Sequence, residues 1–370
     1  MPSILPFLPV LRALLVVIAS GALSGCAGIG FYLQAIGGQL ELYGARRPVG
    51  NVLDAPGTDP ETRRLLQLAT EVRSFAVETL ALPDNGSYTR YADLKRPYVV
   101  WNVFAAPALS LEPVQSCFLV VGCLSYRGYF DEAAAQRYAA RLRAEGHDVF
   151  IGGVAAYSTL GWFADPLLNT MLRWGDARLT KTLIHELAHQ AVYVNDDSAF
   201  NEAFASTVAR VGYARWLDEH GGEADDARHE EVREQSFLEL LLTTRDSLAG
   251  IYAAQLSDEE KLAAKAGAFT ALEAAYRDWR SNWQGYDGYD NWMRTDLNNA
   301  KLASISTYHH RVAAFDAILL AAGGDLPAFY RIVADLGAQE RQIRDRCLDD
   351  VVQQKFCEPL AAAVERERRG

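Results

Sequence analysis

Read for the spacing of its apolar positions, the chain divides into a mixed front part and a helical back part. From Gly28 to Arg47 an apolar stretch with several glycines predicts a tether that becomes a helix packed on the body. Leu65, Leu68, Ala69, Val72, Phe75 and Ala76 recur at helical intervals and predict an amphipathic helix over Pro60–Leu80. Tyr98 to Phe104, Cys117 to Val121 and Gly128 to Phe130 are rich in β-branched and aromatic residues and predict strands of one small sheet. Asp131 has the side chain of an N-cap for a helix running to Glu145. Val149–Ile151 and Val154–Tyr157 predict a strand interrupted by Gly152 and Gly153. Beyond about residue 178 the strand signals vanish. Helices are expected over Thr180–Val194, Glu202–Asp218, Asp225–Leu256 and Asp258–Asp278, and onward to the C-terminus. No repeat and no Pro/Ser linker breaks the pattern, so the expected fold class is α+β, predominantly helical, with a small sheet in the N-terminal half.

Composition narrows the function classes. Of 370 residues, 50% are hydrophobic and 22% charged, enough apolar material for a large core and too much for a disordered chain. The formal charge of -11 argues against a nucleic-acid partner, which needs a concentrated basic surface. No obligate protein partner is implied.

The N-terminus carries an address. Arg12 precedes the apolar run Ala13–Ala19, and Leu23-Ser24-Gly25-Cys26 follows, the parts of a secretion signal with a small-residue cleavage site. Leu, Ser and Gly before a Cys resemble the bacterial lipobox, which implies cleavage before Cys26 and its diacylation. Ala27, where an Asp would retain the protein, implies sorting to the outer membrane, with the body facing the periplasm. After cleavage Cys117, Cys123, Cys347 and Cys357 remain, an even number in an oxidising compartment. Of three connectivities the two local pairs are the simplest, and none of the four has the spacing of a metal knuckle.

The chemistry concentrates near residue 185. Thr182-Leu183-Ile184-His185-Glu186-Leu187-Ala188-His189-Gln190 contains His-Glu-x-x-His. On a helix, positions i and i+4 share a face one turn apart, so His185 and His189 can bind one Zn²⁺ together. Glu186, beside the first ligand, can then act as general base toward water activated by the metal. Leu183, Ile184, Leu187, Ala188 and Val192 surround this trio, and two histidines and a carboxylate buried without partners would be costly.

A third ligand is expected from the next helix. Asn201-Glu202-Ala203-Phe204-Ala205 is similar to the Asn-Glu-x-x-Ala third-ligand motif of gluzincin peptidases, in which the Glu completes a His₂Glu site. Glu202 lies thirteen residues after His189, closer than in thermolysin-like enzymes, so a short loop at Asn195-Asp196-Asp197-Ser198 must join the helices, and Asp196 or Asp197 is the fallback ligand. Hydrolysis also needs a donor for the oxyanion. Tyr308 or His309, in the run Asn298 to His310, are candidates for the role that Tyr or His fills in gluzincins. Tyr157, Ser158 and Thr159 occupy the place in chain order of the edge strand that aligns substrate in thermolysin-like peptidases.

Taken together, the lipobox, Ala-Tyr-Ser-Thr-Leu-Gly-Trp, the metal motif, Phe-Asn-Glu-x-Phe-Ala and Asn-Asn-Ala-Lys-Leu resemble a family of bacterial lipoprotein aminopeptidases of the gluzincin-like kind. The resemblance spans nearly the whole mature chain. It implies a peptidase with one Zn²⁺, a peptide substrate, Glu186 as base, and membrane attachment through Cys26. The Gly-x-Met-Glu-Asn run that binds the substrate amine in related exopeptidases does not occur here. The expected organisation is a signal peptide over 1–25, a lipidated tether and first helix over 26–58, a mixed part over 59–178 and a helical metallopeptidase part over 179–370. The rival readings are a non-catalytic lipoprotein scaffold or binding module, and a zinc amidase acting on cell-wall peptides.

Overall fold

A computed structural model describes residues 31–118, 122–156, 158–159, 164–221, 224–295, 297–309 and 311–369, the side chains of 224–228 and 306–309 excepted. The front part opens with α1 (31–44), β1 (Arg46–Pro48), α2 (Val49–Asp54) and α3 (Pro60–Glu78). Asp59 caps α3 by accepting the Thr62 N–H, and Leu65, Leu66, Ala69, Val72, Phe75 and Ala76 form its buried stripe, as the spacing predicts. Strands β2 (Arg90–Ala92), β3 (Val100–Pro107), β4 (Ser116–Phe118), β5 (Gly122–Leu124) and β6 (Arg127–Tyr129) follow, then α4 (Glu132–Ala144), β7 (His147–Val154) and β8 (Leu167–Leu168). Asp131 caps α4 through the Ala134 N–H.

The predicted single sheet is three. One has the order β1-β2-β8, a second β6-β3-β7, and β4-β5 form a hairpin closed by the Cys117–Cys123 disulfide. The predicted break at Gly152 and Gly153 does not occur. β7 runs through both glycines, paired with Asn102 and Trp101 of β3, and at Gly153 a Cβ would overlap the Tyr98 ring. Here glycine admits an aromatic ring rather than ending the strand.

The back part is helical, and among the described residues no strand follows β8. It comprises α5 (Asp176–Ala188), α6 (Ser198–His220), α7 (Ala224–Ala253), α8 (Asp258–Asn282), α9 (Asp290–Arg294), α10 (Asn299–His309), α11 (Val312–Ala321), α12 (Leu326–Gly337), α13 (Arg341–Val352) and α14 (Glu358–Arg369). The fold class is α+β with small sheets, as expected. α6 is buried on nearly all sides, with Phe200, Phe204, Val208 and Trp216 among its core residues. Gly212 lets α5 come close, since a Cβ there would sit 2.6 Å from Leu80 and 3.0 Å from Ile184. Cys347 and Cys357 form the second local disulfide, joining α13 to the start of α14.

The Asn-Asn-Ala-Lys-Leu run has structural work in this fold. Asn299 is fully buried and donates to the carbonyls of Pro107, Ala108 and Ser110 while accepting from the Tyr252 hydroxyl at 2.8 Å. Lys301, also fully buried, donates to the carbonyl and hydroxyl of Thr295, both at 2.6 Å. Together they tie α10 to the end of β3 and to the α7–α9 region. Both of these buried side chains find partners, as a low-dielectric interior favours.

Candidate metal centre

The first two candidate ligands come from the end of α5. Leu179, Thr180, Leu183, Ile184, Leu187 and Ala188 bury one face of that helix, which fixes its rotation. The helix stops at Ala188 rather than at the predicted Val194, and His189 is its C-cap. The ligand spacing survives because His189 keeps right-handed helical backbone angles and donates its N–H to the His185 carbonyl at 3.2 Å. The two imidazole rings stand perpendicular, 4.7 Å between centroids, with their Nε2 atoms 3.1 Å apart.

Glu202 reaches the same point from α6. Asp197 caps that helix by accepting the Phe200 N–H at 3.1 Å. Asn201, one residue before Glu202, takes the Val194 N–H at 2.8 Å and returns its own amide to the Val194 carbonyl at 2.7 Å. This two-way clamp ends the apolar run Ala191–Val194 as a loop and sets the turn from α5 into α6. The fallback ligands have other duties. Asp197 is gripped by Arg344, and the exposed Asp196 accepts the Cys123 N–H at 3.3 Å.

Glu202 Oε2 lies 3.2 Å from His185 Nε2 and 3.8 Å from His189 Nε2. Four tetrahedral ligands with zinc bonds near 2.0–2.2 Å would be spaced by about 3.3–3.6 Å. The three observed separations bracket that edge. Two imidazole nitrogens and one carboxylate oxygen also form a donor set suited to a borderline cation. Two Nε2 atoms facing each other across 3.1 Å present like lone pairs unless a proton or cation lies between them. The residues fit a metal ion, and among the described residues His185, His189 and Glu202 are the one group of three such ligands that converges.

The local electrostatics follow from burial and these contacts. Burial opposes ionisation of Glu202, but the hydrogen bonds and charges of His185 and His189 outweigh it and hold the carboxyl well below its usual range. Burial likewise opposes a charge on His185, and the pull of Glu202 and Glu186 overcomes it, so the ring holds its proton more tightly than usual. Glu186 moves the other way. Burial pushes its carboxyl up, the two histidines counter, and the charges of Glu202 and Asp165 add to the rise.

Three tyrosines enter this field, and spacing along the chain gave no sign of them. Tyr126, in the turn before β6, has its phenol pushed up by burial and then by the charges of Glu202, Tyr193 and Glu186. Tyr193, in the loop after α5, is raised by burial, Glu202 and Asp196. Tyr88 is raised by burial, then by Glu186 and Asp165, with Ser158 opposing. It is buried and holds a left-handed backbone at φ 64°, a strained conformation for an aromatic residue. Its loop is pinned on both sides. The Tyr88 N–H donates to the Asp165 carbonyl at 2.6 Å, and Asn85 donates to Gln190, the neighbour of His189, at 2.7 Å.

Ser158 and Thr159 both turn to Asp165. The Thr159 N–H and hydroxyl donate to its carboxylate at 2.9 and 2.8 Å, and the Ser158 hydroxyl at 3.2 Å. Tyr157 and Cys26 lie outside the described residues, as do the side chains of Tyr308 and His309.

Fold and site together define a predominantly helical α+β protein whose two central helices present a group able to hold a metal ion. Residues 30–348 match the family described as "Putative aminopeptidase", and the chain belongs to that family. No curated protein and no solved structure matches it.

Proposed function

We propose that the protein is a zinc-dependent peptidase of gluzincin type, held at the periplasmic face of the outer membrane by acylated Cys26. The single observation that carries the reading is the convergence of His185, His189 and Glu202 at separations of 3.1–3.8 Å, with Glu186 next to the first ligand. Family membership supports a peptide substrate. A zinc ion held there supplies Lewis acidity, polarising the scissile carbonyl and acidifying nearby water. Glu186 takes the proton from the attacking water and passes it to the leaving amine. Among the described residues, Tyr126 and Tyr88 are candidate hydroxyl donors to the oxygen that gains charge, since both feel the charge of Glu186. Ser158 and Thr159, held by Asp165, remain the proposed substrate-aligning segment.

The test is metal content and peptide hydrolysis by the chain from residue 27 onward, beside Glu186→Gln. Zinc retained at one equivalent with hydrolysis reduced by several orders of magnitude is the expected pattern. A wild-type chain that takes up no metal would end the reading in favour of a scaffold or binding module.

A further inference from the structure

The outer face of α1 is apolar where an exposed helix should be polar. Twelve large hydrophobic residues are exposed among the described residues, and four of them, Tyr32, Leu33, Ile36 and Leu40, fall within nine positions of this one helix. At 100° per residue these four lie within an arc of about 100°, a single stripe. Leu33, Ile36 and Leu40 are 64%, 56% and 65% exposed. No charged residue occurs between Ala27 and Leu40. The opposite face is firmly seated. Gln34 accepts the Phe130 N–H at 2.9 Å, Gly38 sits so close to the Phe130 ring that a Cβ would overlap it, and Leu42 is buried. Phe31 packs edge-on against Tyr129 under the Arg127 guanidinium. The stripe is therefore held outward by a fixed helix and is not the face awaiting its own core.

We infer that the Tyr32, Leu33, Ile36 and Leu40 stripe lies in the headgroup layer of the membrane, docking the body flat against the bilayer. The inference rests on the lipoprotein reading, which brings the helix to the membrane. Only four residues separate Cys26 from Phe31, so Phe31 lies within roughly 18 Å of the acylated residue even for a fully extended chain. Among the described residues no helix is long and apolar enough to cross a membrane, and the stripe occupies one face of α1 only. One apolar face on a helix close to a lipid anchor suits a surface-lying arrangement in the interface.

The chain from residue 27, carrying an N-terminal hexahistidine, is tethered to phosphatidylethanolamine–phosphatidylglycerol vesicles through nickel-chelating lipid, so the outcome does not depend on acylation. A polarity-sensitive fluorophore is placed at Ile36→Cys and, as control, at the exposed Glu61→Cys. A blue shift with several-fold brightening at position 36, absent at 61, is expected. A probe at position 36 that still reports water while tethered overturns the proposal. Without the tether, the Leu33→Gln, Ile36→Gln, Leu40→Gln triple variant is expected to lose vesicle binding by about tenfold or more, with its circular dichroism unchanged, and equal binding overturns the proposal as well. Detergent-phase partition of the full chain against Cys26→Ser in a bacterial host tests the lipoprotein reading separately.

Discussion

Arg344 on α13 donates from Nε at 2.9 Å and from Nη2 at 2.8 Å to the same oxygen of Asp197, the cap of the helix that carries Glu202. Both side chains are buried, and Arg311 stands 3.5 Å from that oxygen. The pair therefore braces the turn that joins α5 to α6, between the candidate ligands His189 and Glu202. Removing one partner of a buried pair leaves an uncompensated charge, so Arg344→Met is expected to cost about 3–5 kcal/mol in urea unfolding. A loss below about 1 kcal/mol would mean that Arg311 alone satisfies the carboxylate.

The two histidines and Glu186 are legible in the sequence because helical geometry alone places residues i and i+4 on one face. Glu202 is legible only through its motif, since nothing in the spacing says that a nine-residue connection folds back over one turn. The end of α5 is misjudged because Ala191-Val192-Tyr193-Val194 continues the apolar pattern, while Asn201 captures both backbone groups of Val194 and forces a loop. The tyrosines were hidden for a related reason. Tyr88 and Tyr126 lie on loops about 100 and 60 residues upstream of Glu186, and only tertiary packing brings loops to a site. Gly152 and Gly153 look like a break in the sequence because local propensity ignores the partner strand that completes their pairing.

Zinc should stabilise the folded chain, since its ligands converge only there. At a free concentration a hundredfold above Kd the gain is about 2.7 kcal/mol. Calorimetry should show a higher melting temperature with zinc than with chelator, and Glu202→Gln should abolish most of that difference. A chelator-insensitive wild type would count against a metal held by these residues.

Of the two candidate phenols, Tyr126 is influenced by both Glu202 and Glu186 and is the first to test as an oxyanion donor under the proposed mechanism. Tyr126→Phe keeps the ring beside Phe104, 5.4 Å away between centroids, and removes only the hydroxyl. Loss of one oxyanion donor lowers kcat by about 10²–10³. Steady-state kinetics should show that fall with KM nearly unchanged and zinc content intact. If Tyr88→Phe gives the larger loss, the strained loop at residue 88 supplies the donor instead.

Asp165 gives the fold a pH dependence. Burial raises its carboxyl above the ordinary value of 3.8, against the hydrogen bonds from Thr159 and Ser158 and the charge of Arg46. Below that ordinary value both folded and unfolded chains hold the proton and nothing is lost. As pH rises, the unfolded chain releases its proton first, so this contribution falls until pH passes the raised native value and then stays low. Asp165→Asn cannot titrate. The unfolding free energy of the wild type minus that of the variant should therefore decline as pH rises from about 4, measured by urea titration at fixed ionic strength. A difference that grows in the wild type's favour over that range would mean that Arg46 and the hydroxyl donors, not burial, control the carboxylate.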